Sequence, residues 1–127
     1  MGDSYVSKEA GMSGGDTIFG KIVRKEIPAQ IVYETERVLA FRDVNPVAPV
    51  HVLVIPKKPI ENIASAVATD AELLGELMLA AAEVARKEGL EPGGYRVVTN
   101  IGGDGGQTVF HLHLHVIGGR PMLWPPG

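Results

Sequence analysis

A single long amphipathic helix among several β-like runs restricts the fold more than any other feature of this chain. In "TDAELLGELMLAAAEVARKEG", residues 69–89, Leu73, Leu74, Leu77, Met78, Ala81, Val84 and Ala85 recur at helical spacing along one face. Thr69 and Glu72 have the spacing of a capping box, and Gly89 is a natural terminator. Upstream, "QIVYE" and "RVLAFRD" read as a hairpin, and "VHVLVIP" as a third strand ended by Pro56. Downstream, "GYRVVTNI" and "TVFHLHLHVIGG" read as strands four and five around the loop "GGDGGQ". Parallel neighbours need a long, usually helical crossover for each pair, and these links are too short. The expectation is therefore the α+β class, with a five-stranded antiparallel sheet, one short helix and one long helix. The short helix is "DTIFGKIVRKEIPA", with Asp16 or Thr17 as cap, Ile18, Phe19, Ile22 and Val23 on one face, and Pro28 as the stop.

Composition narrows the function classes. The 127 residues are 45% hydrophobic and 21% charged, as in one ordinary soluble domain. That domain is expected over residues 16–127, behind a polar, aperiodic tail at 1–15. A net charge of −3 gives no global basic field for nucleic acid. Cysteine is absent, which removes disulfides, thiolate nucleophiles and cysteine zinc sites together. No apolar run approaches membrane-spanning length and no signal peptide is evident, so a cytoplasmic location is the default expectation.

The chain has four histidines, and three of them occupy alternate positions in "FHLHLHV". On a strand, Phe110, Leu112, Leu114 and Val116 would face the core, and His111, His113 and His115 would share the other face, roughly 6–7 Å apart. A solvent-facing polar row would not need imidazole three times. A metal site gains from His at i and i+2, but three along a straight strand do not converge easily, and no carboxylate or cysteine lies in the run. Catalysis suits the residue type best, since imidazole serves as nucleophile, acid or base near neutral pH. The preceding "NIGGDGGQTV" adds glycines whose backbone N–H groups can form an anion-binding concavity, with Gln107 and Thr108 as further donors. It is not a P-loop, because no Gly-Lys-Ser/Thr follows.

Three stretches, "HLHLH", "DVNPVAPVHVLVIPKK" and the terminal "GGRPMLWPPG", together resemble the histidine triad superfamily. The resemblance is closest to its nucleotide-binding branch of purine nucleoside phosphoramidases, and it spans about residues 14–127. It implies that His113 attacks the α-phosphorus of a nucleoside phosphoramidate, expels an amine and forms a nucleotidyl-histidine that water resolves. His115 and His111 would then flank the phosphoryl group, and His51 would join the hydrogen-bond relay. Thr108, where many relatives have Ser, would contact the phosphate or help protonate the leaving amine. Asn100 and the Gly106–Gln107 backbone would hold phosphate and leaving group. Asp43 would receive the ribose hydroxyls, and Ile18, Phe19, Ile22, Phe41, Val44 and Leu53 would line a purine pocket. Trp124 would reach a partner subunit, since relatives are homodimers whose two sheets join, with small residues such as Gly75 letting the long helix pack across the interface. No metal or cofactor is implied. Pro59 departs from the pattern, where many close relatives carry a further His. Rival readings are a dinucleoside polyphosphate hydrolase or nucleotidylyltransferase of the same superfamily, a nucleotide-binding adaptor, and a His-rich metalloprotein. The Trp-Pro-Pro-Gly end argues against the first.

Overall fold

Thr17 opens the described part of the chain, residues 17–127 of a computed structural model; the tail at 1–15 and the alternative cap at Asp16 lie outside the described residues. The buried Thr17 hydroxyl accepts the Gly20 N–H at 3.1 Å and caps α1, Ile18–Val23. The helix ends at Arg24, before Pro28, because Lys25 takes a left-handed φ of 62°. Then come β1 (Ile31–Glu34), β2 (Val38–Arg42) and β3 (Val50–Pro56), two 3₁₀ turns at Ile63–Ser65 and Ala68–Asp70, α2 (Ala71–Lys87), β4 (Tyr95–Val98) and β5 (Leu114–Gly118). The strands form one sheet in the order β1-β2-β3-β5-β4, antiparallel at every pairing. The expected α+β architecture is therefore the one observed.

Alternation divides the sheet into two chemically different faces. Val38 and Ala40 of β2, Val52 and Val54 of β3, and Leu114 and Val116 of β5 pack under α2 with Leu73, Leu77, Ala80, Ala81, Val84 and Ala85. The other face carries a smaller core of Phe19, Ile22, Leu39, Phe41, Leu53, Ile55 and Val109. The end of α2 is fastened to β2 by a two-pronged ion pair, Arg42 to Glu88 at 2.8 and 3.0 Å, immediately before Asp43.

Three local expectations fail for identifiable reasons. Thr69 and Glu72 form no capping box. Asp70 caps the preceding 3₁₀ turn instead, accepting the Val67 N–H at 3.0 Å and pairing with Lys58 at 2.6 Å. Glu72 pairs with Arg37, and Met78 lies 56% exposed, with Ala80 taking its place on the buried face. The last strand begins at Leu114, not Thr108. Leu114 and His115 are the last residues of β5 toward the loop with partners on β3 and β4, and the Leu112 N–H turns to the Ile60 carbonyl at 2.7 Å. Beyond the ladder Leu112 still packs under α2 and Val109 in the core of the other face, but Phe110, expected to face the core, is only half-buried.

Candidate active site

The second face can be read as a grid. Phe41, Leu53, His115 and Val98 are successive cross-strand partners over β2, β3, β5 and β4. One row on, His51, Ile117 and Arg96 are partners, and the Asp43 N–H donates to the His51 carbonyl at 3.0 Å. His113 precedes β5, one alternation before His115 and on the same side. Its carbonyl accepts the Thr99 hydroxyl at 2.8 Å, and its ring stands edge-on to Phe19 at 5.1 Å and 5.0 Å from the His115 ring. His51, His113 and His115 are all buried.

The hydrogen bonds fix which nitrogen of each ring carries the proton. The Val47 N–H donates to His51 Nδ1 at 3.1 Å, so neutral His51 must bear its proton on Nε2. That Nε2–H donates to His115 Nδ1 at 2.9 Å, with Asp43 Oδ2 also at 3.4 Å. His115 must then carry its own proton on Nε2. His113 is the opposite: its Nδ1–H donates to the His111 carbonyl at 2.8 Å, which leaves the lone pair on Nε2. Two adjacent imidazoles are thus set in opposite tautomers, one with a lone pair to give and one with a proton to give.

Burial lowers the pKa of all four histidines, because desolvation disfavours the imidazolium. For His115, burial and the neighbouring His113 and His51 rings bring it to about 3. For His51, the Asp43 carboxylate opposes the effect of burial. All four rings are therefore neutral at pH 7.

Several predicted residues sit differently from expectation. His111 does not flank an open site: it is fully buried, its Nε2–H donates to the Pro56 carbonyl at 2.7 Å, and its Nδ1 has no partner. Its contribution is the carbonyl that orients His113. Gln107 offers no side-chain donor to a ligand. Its amide NH₂ bonds the Glu61 and Val109 carbonyls at 2.8 and 3.1 Å, while its oxygen accepts from Asn62 and Gly102, both at 3.0 Å. The Gly106 and Gln107 N–H groups also close turns within the loop, to Gly103 and Gly102, both at 3.0 Å. The loop is a tightly wound support, and a Cβ at Gly105 would lie 2.2 Å from the Ile101 carbonyl oxygen. Asn100 lines a cleft with His51 and His115 and braces the loop through the Gly105 carbonyl at 2.7 Å. Thr108 is half-buried at the loop exit.

At the other end, Ile18, Phe19, Ile22, Phe41 and Leu53 gather in one cluster, with Phe19 edge-on to Phe41 at 5.4 Å. They form a packed floor, and the adjoining hollow of about 380 Å³ is lined by Ile22, Ile27 and Ala29 among others. Ile27 and Ala29 escaped sequence reasoning because nothing in a post-helical loop marks them as lining. Val44 and Trp124 are 60% and 82% exposed and line neither region. Asp43 is brought beside His51, where its other oxygen accepts the Asn45 N–H at 2.8 Å. Asp43, His51 and His115 also place ligand atoms within 4.8 Å of one another, a two-nitrogen, one-oxygen donor set that suits zinc with a fourth position open.

Neutral, buried imidazoles in fixed tautomers thus stand beside a glycine-rich loop. The HIT domain family model matches residues 24–122, so this chain belongs to the HIT family. A HIT-like protein of Synechococcus elongatus is 61% identical over 112 residues, 88% of this chain and 97% of that one. A maize protein called a 14 kDa zinc-binding protein is 55% identical over 113 residues, 87% of this chain and 88% of that one. Among solved structures, a HIT family hydrolase of Legionella pneumophila superposes with a TM-score of 0.85 at 50% identity, covering 87% of this chain and 98% of that one.

Proposed function

We propose that this protein is a purine nucleoside phosphoramidase of the nucleotide-binding branch, cleaving the P–N bond of adenosine or guanosine 5′-phosphoramidates through a nucleotidyl-His113 intermediate. The observation that carries the reading is the His113 Nδ1–H bond to the His111 carbonyl at 2.8 Å. It leaves Nε2 as the free nucleophilic nitrogen of a ring that burial keeps neutral.

In the first half-reaction, His113 Nε2 bonds to the α-phosphorus as the P–N bond breaks, and the amine departs with a proton. His115 Nε2–H donates to a phosphoryl oxygen and stabilises the charge that builds there. In the second, water attacks phosphorus as the bond to His113 Nε2 breaks, and the proton that water loses replaces the one that left with the amine; the nucleoside monophosphate leaves, and His113 returns to its neutral form. Thr108 is suited by its place at the loop exit to pass the proton to the amine. Asp43 binds the ribose hydroxyls, and the cluster around Phe19 and Phe41 supports the base. The exposed Leu123 and Trp124 and the open edge of β4 suit a homodimer whose sheets join, with Trp124 reaching the partner's site. No helix among the described residues is long and apolar enough to cross a membrane, and a cysteine-free nucleotide hydrolase suits the cytoplasm.

The test is incubation with a fluorogenic adenosine phosphoramidate, with and without chelator. The expected result is turnover that chelation does not change, with adenylylated protein trapped by acid quench, and His113→Ala losing both. Undiminished activity in that variant would refute the nucleophile assignment. Asp43→Ala should raise KM about tenfold for ribosides, as loss of hydrogen bonds to a charged group requires, and less for analogues without ribose hydroxyls; equal effects would count against the ribose role. A second reading rests on the Asp43–His51–His115 donor set and on the zinc-binding name of the maize relative. Those three residues would hold the ion, and polarisation of a phosphoryl oxygen is the chemistry it would supply. Activity that vanishes with chelator and returns with zinc would establish that reading instead.

A further inference from the structure

We infer that the cleft on the β4 side of His115 selects leaving amines that carry an anionic group, with Arg96 and Arg120 as its specificity residues. The inference rests on the phosphoramidase reading and names its leaving-group class. The grid of the second face supplies the direction. The apolar floor of Phe19, Phe41 and Leu53 lies toward α1, β2 and β3, and Asp43 lies at the end of β2. With the nucleoside over those strands and phosphorus at His113 and His115, the remaining substituent extends toward β4. Val98 is the cross-strand partner of His115 there, and Arg96, two residues away, points to the same side one row on.

That side holds a cleft of about 270 Å³ into which His51, His115, Asn100, Val98, Arg96 and Arg120 all face. Among the described residues, no acidic one lines it. Arg96 donates to the Leu123 carbonyl at 2.8 Å, and Arg120 to the Val47 and Pro121 carbonyls at 3.0 and 3.1 Å. Carbonyls orient a guanidinium without cancelling its charge, and each arginine keeps further N–H donors. Neither forms an ion pair among the described residues, whereas Arg37, Arg42 and Arg86 all do. Two cations without an ion pair among the described residues of this chain therefore border the route by which the amine leaves. A carboxylate on that amine, as in the conjugate of an amino acid through its α-nitrogen, would meet them at charge-assisted distance, and an ammonium group would be repelled.

The test uses two adenosine 5′-phosphoramidates that differ only at the far end of the leaving amine, glycine against glycinamide. Intrinsic leaving-group ability differs between them, so the readout is the ratio of kcat/KM for acid over amide in each protein. That ratio should fall about tenfold from the unmodified protein to Arg96→Gln/Arg120→Gln, with each single variant between, as expected for partly screened charge pairs. It should also fall in the unmodified protein as ionic strength rises from about 20 to about 500 mM. A ratio unmoved by the substitutions overturns the inference. If the double variant does not fold, a ratio unmoved by salt overturns it in its place. Absence of adenylylated protein with either substrate would instead sink the phosphoramidase reading itself.

Discussion

The two faces of the sheet are built from the same five strands and do opposite work. Beneath α2, the buried positions Val38, Ala40, Val52, Val54, Leu114 and Val116 are all hydrocarbon packed with the helix, and Arg42 fastens the edge of that face through Glu88. On the other face, the buried hydrocarbon core reaches as far as Phe41, Leu53 and Val109, and buried imidazoles follow it, with the half-buried Val98 and Ile117 beside them. Desolvation stabilises the first face and keeps the rings neutral on the second. Burial thus packs hydrocarbon on one side of the sheet and uncharged imidazole on the other, within the thickness of a single strand.

Substitutions on either side should separate these roles. The largest effect expected is on turnover by His113→Ala, a loss of at least about 10³-fold with unfolding stability shifted by under about 2 kcal/mol. A variant that lost both equally would make the histidine face merely structural. Leu77→Ala beneath α2 should invert the outcome, costing about 3 kcal/mol in denaturant unfolding while the folded fraction still forms the adenylyl intermediate. The pH dependence sharpens the contrast further. The histidine pKa values are lowered in the native state from about 6.5 when unfolded, so the unfolded chain takes up protons that the native one refuses. Stability is complete above about pH 6.5 and falls with acidification from there, reaching toward pH 3 for His115. Between pH 7.5 and 5.5 the loss should be up to about 1.4 kcal/mol per histidine, before carboxylates begin to titrate. Chemical denaturation at the two pH values measures it, and equal midpoints would mean that the rings are not desolvated. The smallest effect is that of Thr17→Ala, about 1 kcal/mol from the lost cap of α1, seen in thermal unfolding and in a raised KM, since α1 carries Phe19 and Ile22.

The sequence disclosed the grid but not its edges. Alternation in "FHLHLHV" placed His113 and His115 on one face, and their rings do stand side by side there, 5.0 Å apart. Where the ladder stops, at Leu114, the same rule misplaced Phe110, and the flanking place that the family resemblance implied for His111 is filled instead by a fully buried ring. Gln107 was misread for a related reason: a polar side chain in a glycine loop looks available until tertiary partners such as Glu61 and Asn62 are known. Arg96 and Arg120 went unnoticed because lone arginines carry no signal until the fold sets them around one cleft. The tautomers were equally hidden, since they depend on a backbone amide meeting a ring four residues away.

That amide, the N–H of Val47, has a reach well beyond its own bond. It stands at the head of a one-way wire through His51 and His115, and it sets the polarity of the whole line. Were the segment between Pro46 and Pro49 to swing outward, His51 could exchange its proton between nitrogens and the wire would run backwards. Under the proposed function, His115 would then meet a phosphoryl oxygen with a lone pair where it now offers a proton. The two prolines, by stiffening a short stretch of surface chain, act as a rectifier for proton position several ångströms inside.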